Sequence, residues 1–125
     1  MPKNKKIVAA VEALFFVVKI NDLAKRAGFQ PEFIKTQEAI LERVAAEPPA
    51  LLIVDLNNAA VDAVDLIAKV KAMPSAKMTS VIGFVAHVEA ELKQRAQEAG
   101  ANMVLARSAF STNLPQILKR HSGSM

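Results

Sequence analysis

The sequence has no cysteine, no tryptophan and no tyrosine in 125 residues. Without cysteine there is neither a disulfide framework nor a thiolate zinc site, which suits a reducing compartment such as the cytoplasm. Without tryptophan or tyrosine there are few platforms on which bases could stack. Lysine and arginine are scattered along the chain, so the net charge of +4 does not read as a nucleic-acid surface. No apolar run approaches the ~20 residues that cross a membrane. Glycine is also scarce, at four residues. None of them lies in "VEALFF", so the first strand is not followed by a glycine-rich loop that could cradle a phosphate. The basic opening "MPKNKK" precedes an apolar stretch, the outline of a signal peptide. Glu12, Lys19 and Asp22 interrupt that stretch, so it reads as a first buried strand instead.

The composition that remains is 52% hydrophobic and 22% charged, that of one folded domain over 1–125. Short apolar runs alternate with longer amphipathic ones. Strands are expected at Lys6–Val11, at "EFIKT" (32–36), at "ALLIVD" (50–55), at "SVIGFVA" (80–86) and at "ANMVLA" (101–106). Helices are expected over Ala13–Ala27, over "QEAILERVAAE" behind a Thr36 cap, from about Val61 to Ala72, over "VEAELKQRAQEAG", and over "STNLPQILKRH". Pro115 is placed in the first turn of the last helix, where proline is tolerated. Five strands alternating with five helices make a doubly wound parallel α/β sheet of the flavodoxin-like kind, with strand order 2-1-3-4-5 and helices on both faces.

In such a sheet the site lies beyond the carboxyl ends of the strands, where the strand order reverses. That brings Glu12 and Asp55 to one crevice, with Val85, Ala86 and His87 from the fourth strand and Arg107 from the fifth. A carboxylate pair beside a cation can hold Mg²⁺ or attack a phosphoryl group; an aspartate at a strand end can also simply cap the next loop. His87 reads as a solvated loop residue.

The segments "KIVAAVE", "LLIVDLNN", "VIGFVAH" and "AGANMVLARSAF" resemble, in order and spacing, the receiver domains of two-component response regulators. The sequence is similar to the single-domain chemotaxis receivers among them, and the likeness covers Lys5 to about His121. It implies a signalling module rather than an enzyme, with no output domain, and a histidine kinase or another regulator as partner. Asp55 matches the phosphoacceptor. Val11 and Glu12 match the paired acids that hold Mg²⁺, and Asn57 the metal-binding carbonyl. Val85 and Val104 match the switch hydroxyl and the switch aromatic. Arg107 matches the strand-five lysine, followed by Ser108 where a cis proline is usual, and Ala59 and Ala63 stand for a loop proline and a glycine.

These departures point to an atypical, pseudo-receiver variant. Val11 leaves at most Glu12 and Asp55 as metal carboxylates, with Asn57, so Mg²⁺ binding is expected to be weak. Val85 lacks the hydroxyl that would donate to a phosphoryl oxygen, a loss of about 1.5–3 kcal/mol. Arg107 keeps the charge but can pair with Asp55 directly, mimicking or blocking phosphorylation. Two other readings stay open: a genuine phosphoacceptor modified on Asp55, and a small flavodoxin-like ligand binder or enzyme. Along the first helix, Phe16, Ile20, Leu23 and Ala27 share the face towards the sheet. Leu14, Val17 and Val18 then point outward, with Phe15 at the boundary, as a surface for a partner or for a homodimer. The alternatives are a longer first strand or covering loops.

Overall fold

The computed structural model describes residues 4–86 and 89–121; His87 lies outside them. The strands are Lys6–Ala10 (β1), Gln30–Phe33 (β2), Leu51–Asp55 (β3), Ser80–Val85 (β4) and Met103–Ala106 (β5). The helices are Leu14–Arg26 (α1), Gln37–Ala46 (α2), Ala63–Ala72 (α3), Ala90–Ala99 (α4) and Arg107–His121 (α5). A 3₁₀ turn, Pro74–Ala76, lies between α3 and β4. All strand pairs are parallel, in the order β2-β1-β3-β4-β5, as the alternation of runs predicts. Every residue of β3 is buried, because helices cover the sheet on both sides.

The strand alternation sorts the core into two clusters. Ile7, Ala9, Val11, Leu51, Ile53, Ile82 and Phe84 face α1 and α5, meeting Phe16, Ile20, Phe110 and Leu114. Val8, Ala10, Leu52, Val54, Val81, Val85 and Val104 face the other helices, meeting Ile40 and Val44 of α2, Leu66 and Ile67 of α3, and Ala96 of α4.

Helix boundaries follow local chemistry. Thr36 caps α2, its hydroxyl oxygen accepting from the Ala39 amide at 3.2 Å, and Asp62 caps α3 by accepting from Asp65 at 3.2 Å. The Asp62 cap starts α3 two residues later than the expected Val61. Gly100 ends α4 at φ +118°, a left-handed conformation that favours glycine.

Two expectations are corrected. β2 starts at Gln30, not Glu32, and includes Pro31. The amides of Gln30 and Ile34 bond to the Lys5 and Ala9 carbonyls of the β1 segment, so Pro31 sits at a position whose nitrogen points away from β1 and needs no donor. The last helix starts at Arg107, directly after β5, and Pro115 is therefore inside it rather than in its first turn. Pro115 is itself exposed, and it takes away the amide that would otherwise bond the Ser111 carbonyl.

Candidate functional site

The register of the sheet assembles the site. Ala10 lies level with Val54, so Val11 and Glu12 leave β1 alongside Asp55 at the end of β3. Asp55 is level with Phe84, and Phe84 with Leu105, so Arg107 follows two residues beyond that line. Asp55 is 3% exposed, and both of its oxygens are engaged. Oδ1 accepts from the Asn57 amide at 2.9 Å. Oδ2 accepts from Arg107 Nη2 at 3.3 Å, an ion pair as well as a hydrogen bond. The direct pairing of Arg107 with Asp55 is thus the geometry present.

The guanidinium is seated as well as paired. Its carbon stands 5.4 Å from the centre of the Phe16 ring, within cation–π range. Its Nε is buried and finds no acceptor among the described residues. Phe16 in turn packs against Phe84 at 4.8 Å and against Phe110 at 6.1 Å, and those two rings stack at 4.5 Å. Phe16 reads from the sequence as core alone; its second role as the floor beneath Arg107 has no sequence signal, since it needs the start of α5 to lie over α1.

Two asparagines hold the rim. Asn57 Nδ2 donates to Glu89 at 2.9 Å, and Asn57 Oδ1 accepts from the Ala86 amide at 2.7 Å. Asn58 Nδ2 donates to the Ala10 carbonyl at 3.2 Å, and its Oδ1 accepts from the Ala60 amide at 2.9 Å. The end of β1 and the segments after β3 and β4 are thereby tied together. Asn58 and Glu89 were not singled out in the sequence. The pair of asparagines directly after a strand-end aspartate was the available signal for Asn58, since such residues bond neighbouring backbone.

Glu12 is exposed and Val11 is buried and apolar. Among the described residues no group of three or more His, Asp or Glu is arranged to hold a metal. As arranged, the donors at Glu12, Asp55 and Asn57 do not suit Mg²⁺. Each Asp55 oxygen already accepts one hydrogen bond, and the nearest charge to them is the Arg107 cation, which opposes a dication. Val85 and Val104 lie buried in the cluster facing α2, α3 and α4, where neither presents a polar atom.

On α1, Leu14, Phe15 and Val18 are 73%, 66% and 58% exposed. Phe15 is thus outside the boundary position expected for it, its ring edge-on to Phe16 at 5.1 Å. Val17 corrects the expectation in the other direction. It is half-buried and packs on the α1–α5 cluster, because at 100° per residue it lies nearer Phe16 and Ala24 than Phe15.

No family model and no curated protein matches the sequence. Solved structures do. The receiver domain of a sensor histidine kinase of Pseudomonas aeruginosa, crystallised with a magnesium ion coordinated in its active-site cleft, superposes with a TM-score of 0.81 at 16% identity. That match covers 97% of this chain and 99% of that one. The chemotaxis response regulator CheY4 of Vibrio cholerae gives 0.80 at 18% identity over 94% and 98% of the two chains. This chain has the response-regulator receiver fold. The phosphorylated cyanobacterial phytochrome response regulator shares the receiver fold at a TM-score of 0.75 and 20% identity, over 94% and 90%.

Proposed function

We propose that this chain is a receiver-like module of two-component signalling that acts by docking to other proteins, with Asp55 held in a standing ion pair instead of cycling as a phosphoacceptor. The observation that carries this reading is the Arg107–Asp55 pair at 3.3 Å over a carboxylate that is almost fully buried. Nucleophilic attack on phosphorus needs a free carboxylate oxygen aligned with the incoming group. Here Oδ1 is bonded to the Asn57 amide and Oδ2 to Arg107. Val85 has no hydroxyl to receive a phosphoryl oxygen, and Val104 has neither ring nor hydroxyl to relay one.

The remaining parts of the reading agree with it. The chain is a binding module and not an enzyme, and its partners are a histidine kinase or another regulator, in the cytoplasm. Five of the six phenylalanines are buried or half-buried, so the surface offers little for bases to stack on. Among the described residues no helix is long and apolar enough to cross a membrane. The second reading, a true phosphoacceptor, is favoured by the place of Asp55 at the end of the central strand, and by the phosphorylated regulator that shares the fold.

The test is incubation with acetyl phosphate and Mg²⁺, read promptly by intact mass, with beryllofluoride followed by amide shifts at Asp55, Asn57 and Ala86. The expected outcome is an unchanged mass and no saturable shift at millimolar Mg²⁺. Stoichiometric addition of one phosphoryl group, lost in Asp55→Asn, establishes the second reading instead.

A further inference from the structure

We infer that the start of α1 docks a second copy of this chain, with the two helices antiparallel and crossing at the level of Phe16. This deepens the docking reading above and rests on it. Leu14, Phe15 and Val18 are large apolar side chains, more than half exposed, on adjacent turns of one helix. Met78 is the other large apolar side chain exposed among the described residues, and it lies apart from them in the turn before β4. At 100° per residue, Leu14, Val18 and Phe15 fall within about a third of the helix circumference. The same arc carries Asp22, Lys25 and Arg26 further along. Its first half is therefore apolar and its second half charged. A second copy can cover the apolar half without burying the charged one only if the two first halves meet.

Charge then selects the direction. Glu12 is exposed, Lys19 is half-buried, and neither has an ion-pair partner among the described residues. A parallel pair would set Glu12 beside Glu12 and Lys19 beside Lys19. An antiparallel pair crossing at Phe16 sets Leu14 opposite Val18 and Ala13 opposite Lys19. With ~1.5 Å of rise per residue, the Lys19 ammonium then comes within reach of the other copy's Glu12. The two-fold axis makes that pairing twice, a self-complementary polar rim around an apolar centre. Asp22 is occupied by Arg26 at 3.2 Å and lies outside the crossing. Three apolar side chains per copy are well short of the ~800 Å² per partner of a standard interface, so the dimer is weak and concentration-dependent.

Sedimentation velocity from 5 to about 200 µM decides it. The unmodified protein is expected to shift from monomer towards dimer across that range, with an affinity on the order of tens of micromolar. Leu14→Glu should abolish the shift while leaving the circular dichroism and thermal midpoint unchanged, since Leu14 is outside the core. Glu12→Lys and Lys19→Glu alone should each weaken the dimer about tenfold. The two together should restore it, a result that an unrelated loss of folding cannot produce. A protein that stays monomeric at the highest concentration overturns the inference, as does a dimer that survives Leu14→Glu. Charge swaps that do nothing, or that fail to rescue each other, overturn the antiparallel arrangement. The acetyl phosphate result is read on a different residue. A monomeric protein that also resists phosphorylation sinks the dimer and leaves the docking reading standing.

Discussion

The two sides of the sheet are built from different materials. Phe16, Phe29, Phe84 and Phe110 are all in the cluster facing α1 and α5, and Phe33 packs against it. The cluster facing α2, α3 and α4 is aliphatic and small throughout, with valine, leucine, isoleucine and alanine filling it. Arg107 rests on the aromatic side, and the switch positions Val85 and Val104 lie on the aliphatic one. The difference teaches where Asp55 can be felt. From Asp55 through Arg107 and Phe16 to the exposed Phe15 there is an unbroken line of contacts. Towards α4 the buried packing is apolar, and the polar link from Asp55 runs over the rim instead, through Asn57 to Ala86 and to Glu89 just before α4.

The largest expected effect breaks the aromatic side. Phe84→Ala removes a fully buried ring that touches both Phe16 and Phe110, and should cost about 3–5 kcal/mol in urea unfolding. It should also speed amide exchange at Asn57, whose N–H bonds Asp55, because the floor under Arg107 loosens. Leu52→Ala, on the aliphatic side, should cost a similar about 2–5 kcal/mol while leaving that amide protected. Equal deprotection in the two variants would mean that the sides do not differ in this respect.

A smaller effect sharpens the contrast from the aliphatic side. Val85→Thr restores the family's hydroxyl at nearly constant shape in a position 2% exposed. If no acceptor is at hand, the buried hydroxyl should lower stability by about 1–3 kcal/mol. A neutral result would show that a polar partner is within reach, and that this side could carry a switch after all.

The smallest effect concerns a second aspartate. Asp65 on α3 is held below the ordinary carboxylate range, first by its bond with Lys69 and then by that from Gln37. Its native pKa is below the unfolded value of about 3.9, so the unfolded chain binds the proton more readily between the two. The stability this contributes is present above the unfolded value and is lost as pH falls through the lowered native one. Asp65→Asn should flatten that part of the acid unfolding curve, and added salt should shrink the difference, because the pair is open to solvent.

Much of this was legible in the sequence where one physical requirement dominates. "LLIVD" can only be a strand covered on both faces, and the Thr36 cap needs one hydroxyl three residues before an amide. Arg107 and Asp55 could be matched because strand order alone brings their ends together. The misses lie where a local preference gave way to its surroundings. Pro31 argues against a strand unless the strand is an edge with that position facing out. Pro115 argues for a helix start unless the chain before it is already helical and the proline faces water. The seat of Arg107 on Phe16 was illegible for a further reason. A ring that fills a core and a ring that floors a cation have the same pattern along the chain.

Pro31 has a bearing on how copies of this molecule can assemble. An uncovered outer strand is an invitation for another chain to add itself to the sheet, and such growth has no natural end. Gln30 and Ile34 spend their amides on the β1 segment, which leaves positions 31 and 33 to face outward, and at position 31 there is no hydrogen to offer. An incoming strand would find the ladder interrupted in the middle of a four-residue edge. Open-ended stacking through β2 is thereby discouraged, and association is left to surfaces such as a helix, where a two-fold contact closes on itself at two copies.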